Sequence, residues 1–195
     1  MEERKISEKE SLELISRMIQ NTQRKMEQGA GTPMLIWGGA TVLTTLIVWF
    51  LVRSTINYYW NYLWFLIPLF GCIGMLLKKK RFNGPKTFID KMIIYIWAVL
   101  GGTGFVISCL SILNIMWPFP ILFVIILIMG IGTVLTGLVA EFKPFVIGGV
   151  IGMIIGIIQY LVSTYDLKML TFALAFIVMM IIPGFILNHR AKKHV

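Results

Sequence analysis

Charge is the scarcest commodity in this sequence, and it is missing over long continuous stretches. Asp, Glu, Lys and Arg make up 14% of the 195 residues, while 57% are hydrophobic. A soluble domain of this length carries about 25% charged residues. Charges vanish over six blocks of about 20 residues, each long enough as a helix to cross a hydrocarbon core of about 30 Å. A soluble globular domain is therefore excluded, and an integral membrane protein is expected. No Asp, Glu, Lys, Arg or His falls in the interior of any block. A charge at the bilayer centre costs about 2.5–3.5 kcal/mol and is usually kept there for function. Its absence argues against proton relays, ion-coupled transport and voltage sensing.

The residues of catalysis are equally thin. Both histidines, His189 and His194, lie in the C-terminal tail, so no intramembrane serine has an imidazole partner. Five positions apart and without further ligands, they make no metal site. The loops expected in the cytoplasm offer only Asp90 and Glu141, not the acidic pairs that hold Mg²⁺ for phosphoryl transfer. No phosphate-binding glycine loop with its lysine occurs. Cys72 and Cys109 are expected about 18 Å apart in depth, beyond disulfide reach. No catalytic, cofactor-binding or metal-binding residue is identified, and a non-enzymatic protein is expected. The amides Asn61 and Gln159 are placed toward the outer end of their spans, within reach of water. Thr44, Thr103 and Thr133 lie deeper, where hydroxyls bond back to their own helix.

What is present sets the topology. The formal charge is +9, with 18 Lys and Arg. Those residues cluster at the ends of apolar blocks, as the positive-inside rule requires, and not on one face of soluble elements; nucleic acid is not an expected partner. The spans are placed at about 33–52, 58–77, 92–113, 121–140, 144–163 and 169–187. A cytoplasmic N-terminus puts sixteen basic residues inside and leaves only Arg53 and Lys168 outside. Both termini are therefore expected in the cytoplasm. The densest run, Lys78-Lys79-Lys80-Arg81, sits in the middle of the chain with Lys86 and Lys91 and pins that loop inside. Clusters of this kind also attract anionic lipid headgroups. Trp49, Tyr58, Tyr59, Trp60, Trp64, Trp117, Tyr160 and Tyr165 all fall near the expected outer interface, where amphipathic rings are favoured.

Residues 1–31 read as a cytoplasmic head, 32–187 as the six-helix membrane domain and 188–195 as a basic cytoplasmic tail. The N-terminal MEERKISEKE is polar, so the first span is expected to act as an uncleaved insertion signal. In the head, Ser7 and Glu10 form a capping box. Leu12, Ile15, Ile19 and Met26 then recur on one face of an amphipathic helix, near heptad spacing, opposite Glu13, Arg17, Gln20 and Arg24. Gly29 and Gly31 are expected to end this helix before Pro33. Such a helix covers the bundle, lies in the headgroups, or docks a cytoplasmic protein or a second copy of the chain.

Glycine marks the packing. Gly148, Gly152 and Gly156 recur every fourth residue on one face of the fifth span, so that close backbone approach replaces the hydrophobic reward that lipid does not give. Glycine pairs at Gly38-Gly39, Gly101-Gly102 and Gly148-Gly149 in the odd spans suggest three helical hairpins in series. Pro68 and Pro183, inside the second and sixth spans, are expected to kink them.

Ser11-Leu12-Glu13 with Met18-Ile19, Trp37-Gly38, Gly130-Ile131-Gly132-Thr133, Phe142-Lys143-Pro144 and Ile181-Ile182-Pro183-Gly184 together resemble a group of uncharacterised six-span bacterial membrane proteins. The resemblance covers most of the chain. It implies the six-span layout in a bacterial cytoplasmic membrane and brings no activity, cofactor or site residue with it. The expectation is an all-α polytopic membrane helix bundle that engages membrane lipids and a partner, or a second copy. Transport of a neutral or apolar solute is the alternative.

Overall fold

The computed structural model describes residues 8–79, 88–113 and 119–193. Among these residues every regular element is helical. They are α1 (Glu8–Thr55), a 3₁₀ segment (Tyr58–Phe65), α2 (Leu66–Lys79), α3 (Phe88–Ile112), α4 (Ile121–Val139), α5 (Lys143–Leu161), α6 (Tyr165–Phe176), a π segment (Ile177–Ile181) and α7 (Ile182–Lys193). Six stretches are long and apolar enough to cross a membrane: Gly31–Thr55, Tyr58–Leu77, Phe88–Ser111, Ile121–Val139, Lys143–Leu161 and Tyr165–Arg190. The protein is an all-α six-helix bundle with the proportions of a multi-pass membrane protein.

The helices pack in chain order. α1 meets α2, α3 meets α4, α4 meets α5 in the most extensive interface, and α5 meets the α6–π–α7 rod. That rod closes back on α1. The circuit stays open at one place, because α2 and α3 form no packed interface among the described residues. Burial follows this layout: 6% of the apolar window is buried in each of the second and third spans, against 33–50% in the other four. Hydrophobic residues cannot decide such a layout by themselves in lipid, where apolar surface gains nothing from leaving its surroundings. Close packing decides it.

Glycines make that packing. Gly137 of α4 lies so close to α5 that a Cβ would stand 2.7 Å from the Val146 nitrogen. Gly149 of α5 answers it, with a Cβ position 2.7 Å from Val134 and 2.9 Å from the Gly130 carbonyl oxygen. α2 leans on α1 the same way, Gly71 against Trp37 and Gly74 against Ile36. The core between the helices is apolar and aromatic, with Ile126, Phe145, Phe172, Phe176, Met179 and Met180 all buried.

The head does not end where the glycines stand. α1 runs unbroken from Glu8 to Thr55 with Pro33 inside it. Among the described residues no glycine has a positive φ, so the left-handed cap that would stop the helix at Gly29 or Gly31 is not formed. Gly31 instead makes a close approach, its Cβ position 2.7 Å from both Asn188 Oδ1 and the Gly184 carbonyl oxygen of α7. Ser7 of the expected capping box lies outside the described residues, as do the side chains that would form the head's apolar face.

Both prolines stand where the helix type changes. Pro68 stands third in α2, directly after the 3₁₀ segment. The helical hydrogen-bond pattern changes at this junction, and the loss of one N–H donor is more easily accommodated there than in a helix interior. Pro183 follows the π segment, where the Ile182 N–H donates to the Ile177 carbonyl, five residues back. The wider turn accommodates a ring that would otherwise press on the carbonyl four residues before it.

Candidate functional site

The start of the first span and the end of α7 share one end of the bundle, Asn188 lying opposite Thr32, and the turn after α1 lies at the opposite, distal end. α1 finishes at Thr55, and Ile56 turns the chain with φ 53°. The left-handed region costs a β-branched residue of the order of 1–2 kcal/mol. Neighbouring bonds hold it: the Ile56 N–H donates to the Val52 carbonyl at 2.8 Å, and Asn57 Oδ1 accepts from the Tyr59 N–H at 3.0 Å to cap the 3₁₀ segment. Trp60 Nε1 donates to Thr55 Oγ1 at 2.9 Å, and Asn61 Nδ2 donates to the Tyr58 carbonyl at 3.0 Å.

This rigid turn forms one wall of an open cavity of about 700 Å³. Its lining is Ile56, Asn57, Tyr58, Tyr59, Asn61 and Tyr62, with Ser111 from the end of α3 opposite. No charged side chain is among them. The Tyr59 and Tyr62 rings are stacked, 6.3 Å between centroids with planes 13° apart. Tyr58 stands edge-on to Tyr165, whose buried hydroxyl has no hydrogen-bond partner among the described residues. Below the mouth, Phe65 meets Phe105 of α3 edge-on at 6.3 Å.

Arg53 and Asp166, at this end, meet one another across α1 and α6. Trp49 Nε1 of α1 donates to Asp166 Oδ1 of α6 at 2.8 Å. Arg53 lies 3.9 Å from Asp166 Oδ2 and 5.6 Å from the centre of the Trp49 ring. At the other end of the bundle Arg190 lies over Phe142, again at 5.6 Å.

Gly148, Gly152 and Gly156 are all buried, though not against one neighbour. A Cβ on Gly148 would stand 2.8 Å from the Val178 carbonyl oxygen and 2.9 Å from Pro183; on Gly152 it would meet Met179 at 3.1 Å. Gly156 faces α4 instead, with Ile126 at 2.7 Å. The paired glycines of the odd spans are not equivalent. Gly38 and Gly148 are tightly packed, whereas nothing lies within 4 Å of a Cβ on Gly39, Gly101 or Gly102.

Lys78 and Lys79 close α2, but their side chains, with Lys80 and Arg81, lie outside the described residues. His194 and Trp117 lie outside them too. Among the described residues no group of three or more His, Cys, Asp or Glu comes together as metal ligands. Cys72 and Cys109 are free thiols.

Gln159 does not face water; it is 2% exposed. Three residues beyond Gly156, it continues the packed glycine face, and that spacing was visible in the sequence. Trp64 also turns inward, meeting Phe172 edge-on at 5.2 Å. The buried hydroxyls are satisfied locally: Thr45 donates to the Thr41 carbonyl at 2.7 Å and Thr133 to the Met129 carbonyl at 2.8 Å. Thr136 donates to the Gly132 carbonyl and accepts from Trp97 Nε1 at 3.0 Å.

No protein-family model, no curated protein and no solved structure matches the chain.

Proposed function

We propose that the chain is a non-enzymatic protein of the bacterial cytoplasmic membrane that works by engaging a partner helix through its N-terminal head. The observation that carries this reading is the continuity of α1. Of its 48 residues, 25 belong to the first membrane span. The remainder, at 1.5 Å per residue, continues the same rod for about 35 Å. Asn188 of α7 lies opposite Thr32, 3.5 Å from Nδ2 to Oγ1, and α7 ends five residues later at Lys193. Most of the head therefore runs beyond the level at which α7 ends.

A helix continuous with a span is less free to turn flat into the headgroups than one hinged at Gly29. The sequence puts Leu12, Ile15, Ile19 and Met26 on one face of this helix, and their near-heptad spacing suits another helix. A second copy inserted in the same membrane presents this stripe in parallel, so self-association is the simplest form of the partnership. The aromatic core and the locally bonded threonines support a structural role for the bundle. In this reading both termini face the cytoplasm, Lys78–Arg81 holds the middle loop against anionic headgroups, and Gly148, Gly152 and Gly156 serve packing within the chain.

Deleting residues 1–28 tests it. Loss of the oligomer or of a co-purifying protein, with the bundle still folded, supports the reading; an unchanged assembly refutes it. The cavity at the distal end favours a second reading, transport of a neutral or apolar solute. Flux of such solutes into liposomes, abolished by filling that cavity, would establish it over the first.

A further inference from the structure

The open side of the bundle has more structure than an ordinary lipid-facing surface. Three observations coincide there. The circuit of packed helices is interrupted between α2 and α3. A cavity of about 700 Å³ stands at the distal end of the gap, walled by three tyrosines, two asparagines, Ile56 and Ser111. Gly101, one helical turn below Phe105 and on the same face, is half-buried, yet nothing occupies the 4 Å around its Cβ position. Gly39 on α1 is open in the same way, whereas the half-buried Gly74 has Ile36 pressed against it.

We propose that the cavity and the unfilled face of α3 beneath it bind a single bilayer lipid with an uncharged, hydroxyl-rich headgroup. The mouth selects the headgroup. Among the described residues its lining offers phenol, amide and hydroxyl groups but no charge, and Arg53 is not part of it. An anionic phosphate would leave water for a site with no cation to receive it, which costs free energy. A sugar or glycerol headgroup exchanges its water bonds for bonds to Tyr59, Tyr62 and Asn57. Flat aromatic faces such as the stacked Tyr59 and Tyr62 also cover the apolar face of a sugar ring.

The gap receives the chain. Entry is sideways from the bilayer, because α2 and α3 do not close on one another. An acyl chain passing the Phe65–Phe105 pair would lie on the bare backbone of Gly101. This site is independent of the head helix, and neither reading needs the other.

The test uses the full chain in phosphatidylcholine nanodiscs doped with a photoactivatable monoglucosyl diacylglycerol. A phosphatidylglycerol bearing the same photoactivatable chain is the comparison. The glucosyl lipid should label α3 and the 58–65 segment, saturably. Labelling should fall about tenfold in Gly101→Leu, which fills the groove, and in Tyr62→Ala, which removes a headgroup contact. Both positions have free space or solvent around them, so melting temperatures should stay at the wild-type value. Gly39→Leu, at the open glycine on α1, should label normally. Equal labelling by phosphatidylglycerol would overturn the proposal, and so would labelling unaffected by Gly101→Leu. Competition by methyl glucoside as effective as by the intact lipid would show a soluble-sugar site and would also overturn it.

Discussion

Trp49 and Asp166 stand 117 positions apart and are joined by a 2.8 Å hydrogen bond from the indole Nε1 to the carboxylate Oδ1. The bond ties the last turns of α1 to the first turn of α6 and so locks the circuit of helices at its distal end. A hydrogen bond to a charged group contributes about 1.5–3 kcal/mol. Trp49→Phe removes the donor but keeps a ring, and should lower the melting temperature of the purified protein in detergent. Asp166→Asn retains a carbonyl acceptor and should cost less. Arg53→Gln should change little, since its 3.9 Å pairing is solvent-exposed and exposed pairs are worth about 0–1 kcal/mol.

Two classes of glycine should respond in opposite ways to a methyl group. Gly149→Ala places a Cβ 2.7 Å from Val134 and 2.9 Å from a backbone oxygen, so α4 and α5 must part. Overpacking of this kind costs about 1–3 kcal/mol. Gly101→Ala meets nothing within 4 Å and should be neutral or slightly stabilising, because alanine is the better helix former by about 0.8–1.0 kcal/mol. Thermal unfolding of the two variants side by side checks the contrast.

The continuity of α1 sets a distance. Spin labels at positions 12 and 30 of one unbroken helix should lie about 27 Å apart along the axis. A narrow distribution near that value by pulsed electron resonance supports the rod. A broad or much shorter one would restore a hinge at Gly29 and Gly31.

The six spans were legible in the sequence to within four residues at each end, because hydrocarbon thickness and hydropathy leave little choice. The head was misread at Gly31, since a glycine before a proline looks the same whether it caps a helix or admits a neighbour. Only the approach of Gly184 and Asn188, more than 150 positions away, distinguishes the two. Pro183 marked a disturbance, but nothing in Ile177–Ile181 announced a π turn rather than a bend. The gap between α2 and α3 was not legible at all. Both helices carry the apolar and glycine content of packed spans, and their separation follows from what the remaining four prefer to contact.

The basic loop carries the proposed orientation. Reversing Lys78, Lys79, Lys80, Arg81, Lys86 and Lys91 to glutamate should disturb insertion of the second and third spans. Reporter fusions within 53–57 would register the change as lost or mixed accessibility. Unaltered accessibility would assign the orientation to the first span and the head instead.

In the proposed function the head of α1 meets a partner helix along its apolar stripe. Photo-crosslinking residues placed one at a time at Ile15, Ile19, Arg17 and Arg24, in the full chain and in intact membranes, test it most directly. Positions 15 and 19 should give a discrete protein adduct, a second copy in the simplest case, while 17 and 24 give none. Adducts to lipid alone at 15 and 19, or the same products from all four positions, would contradict it.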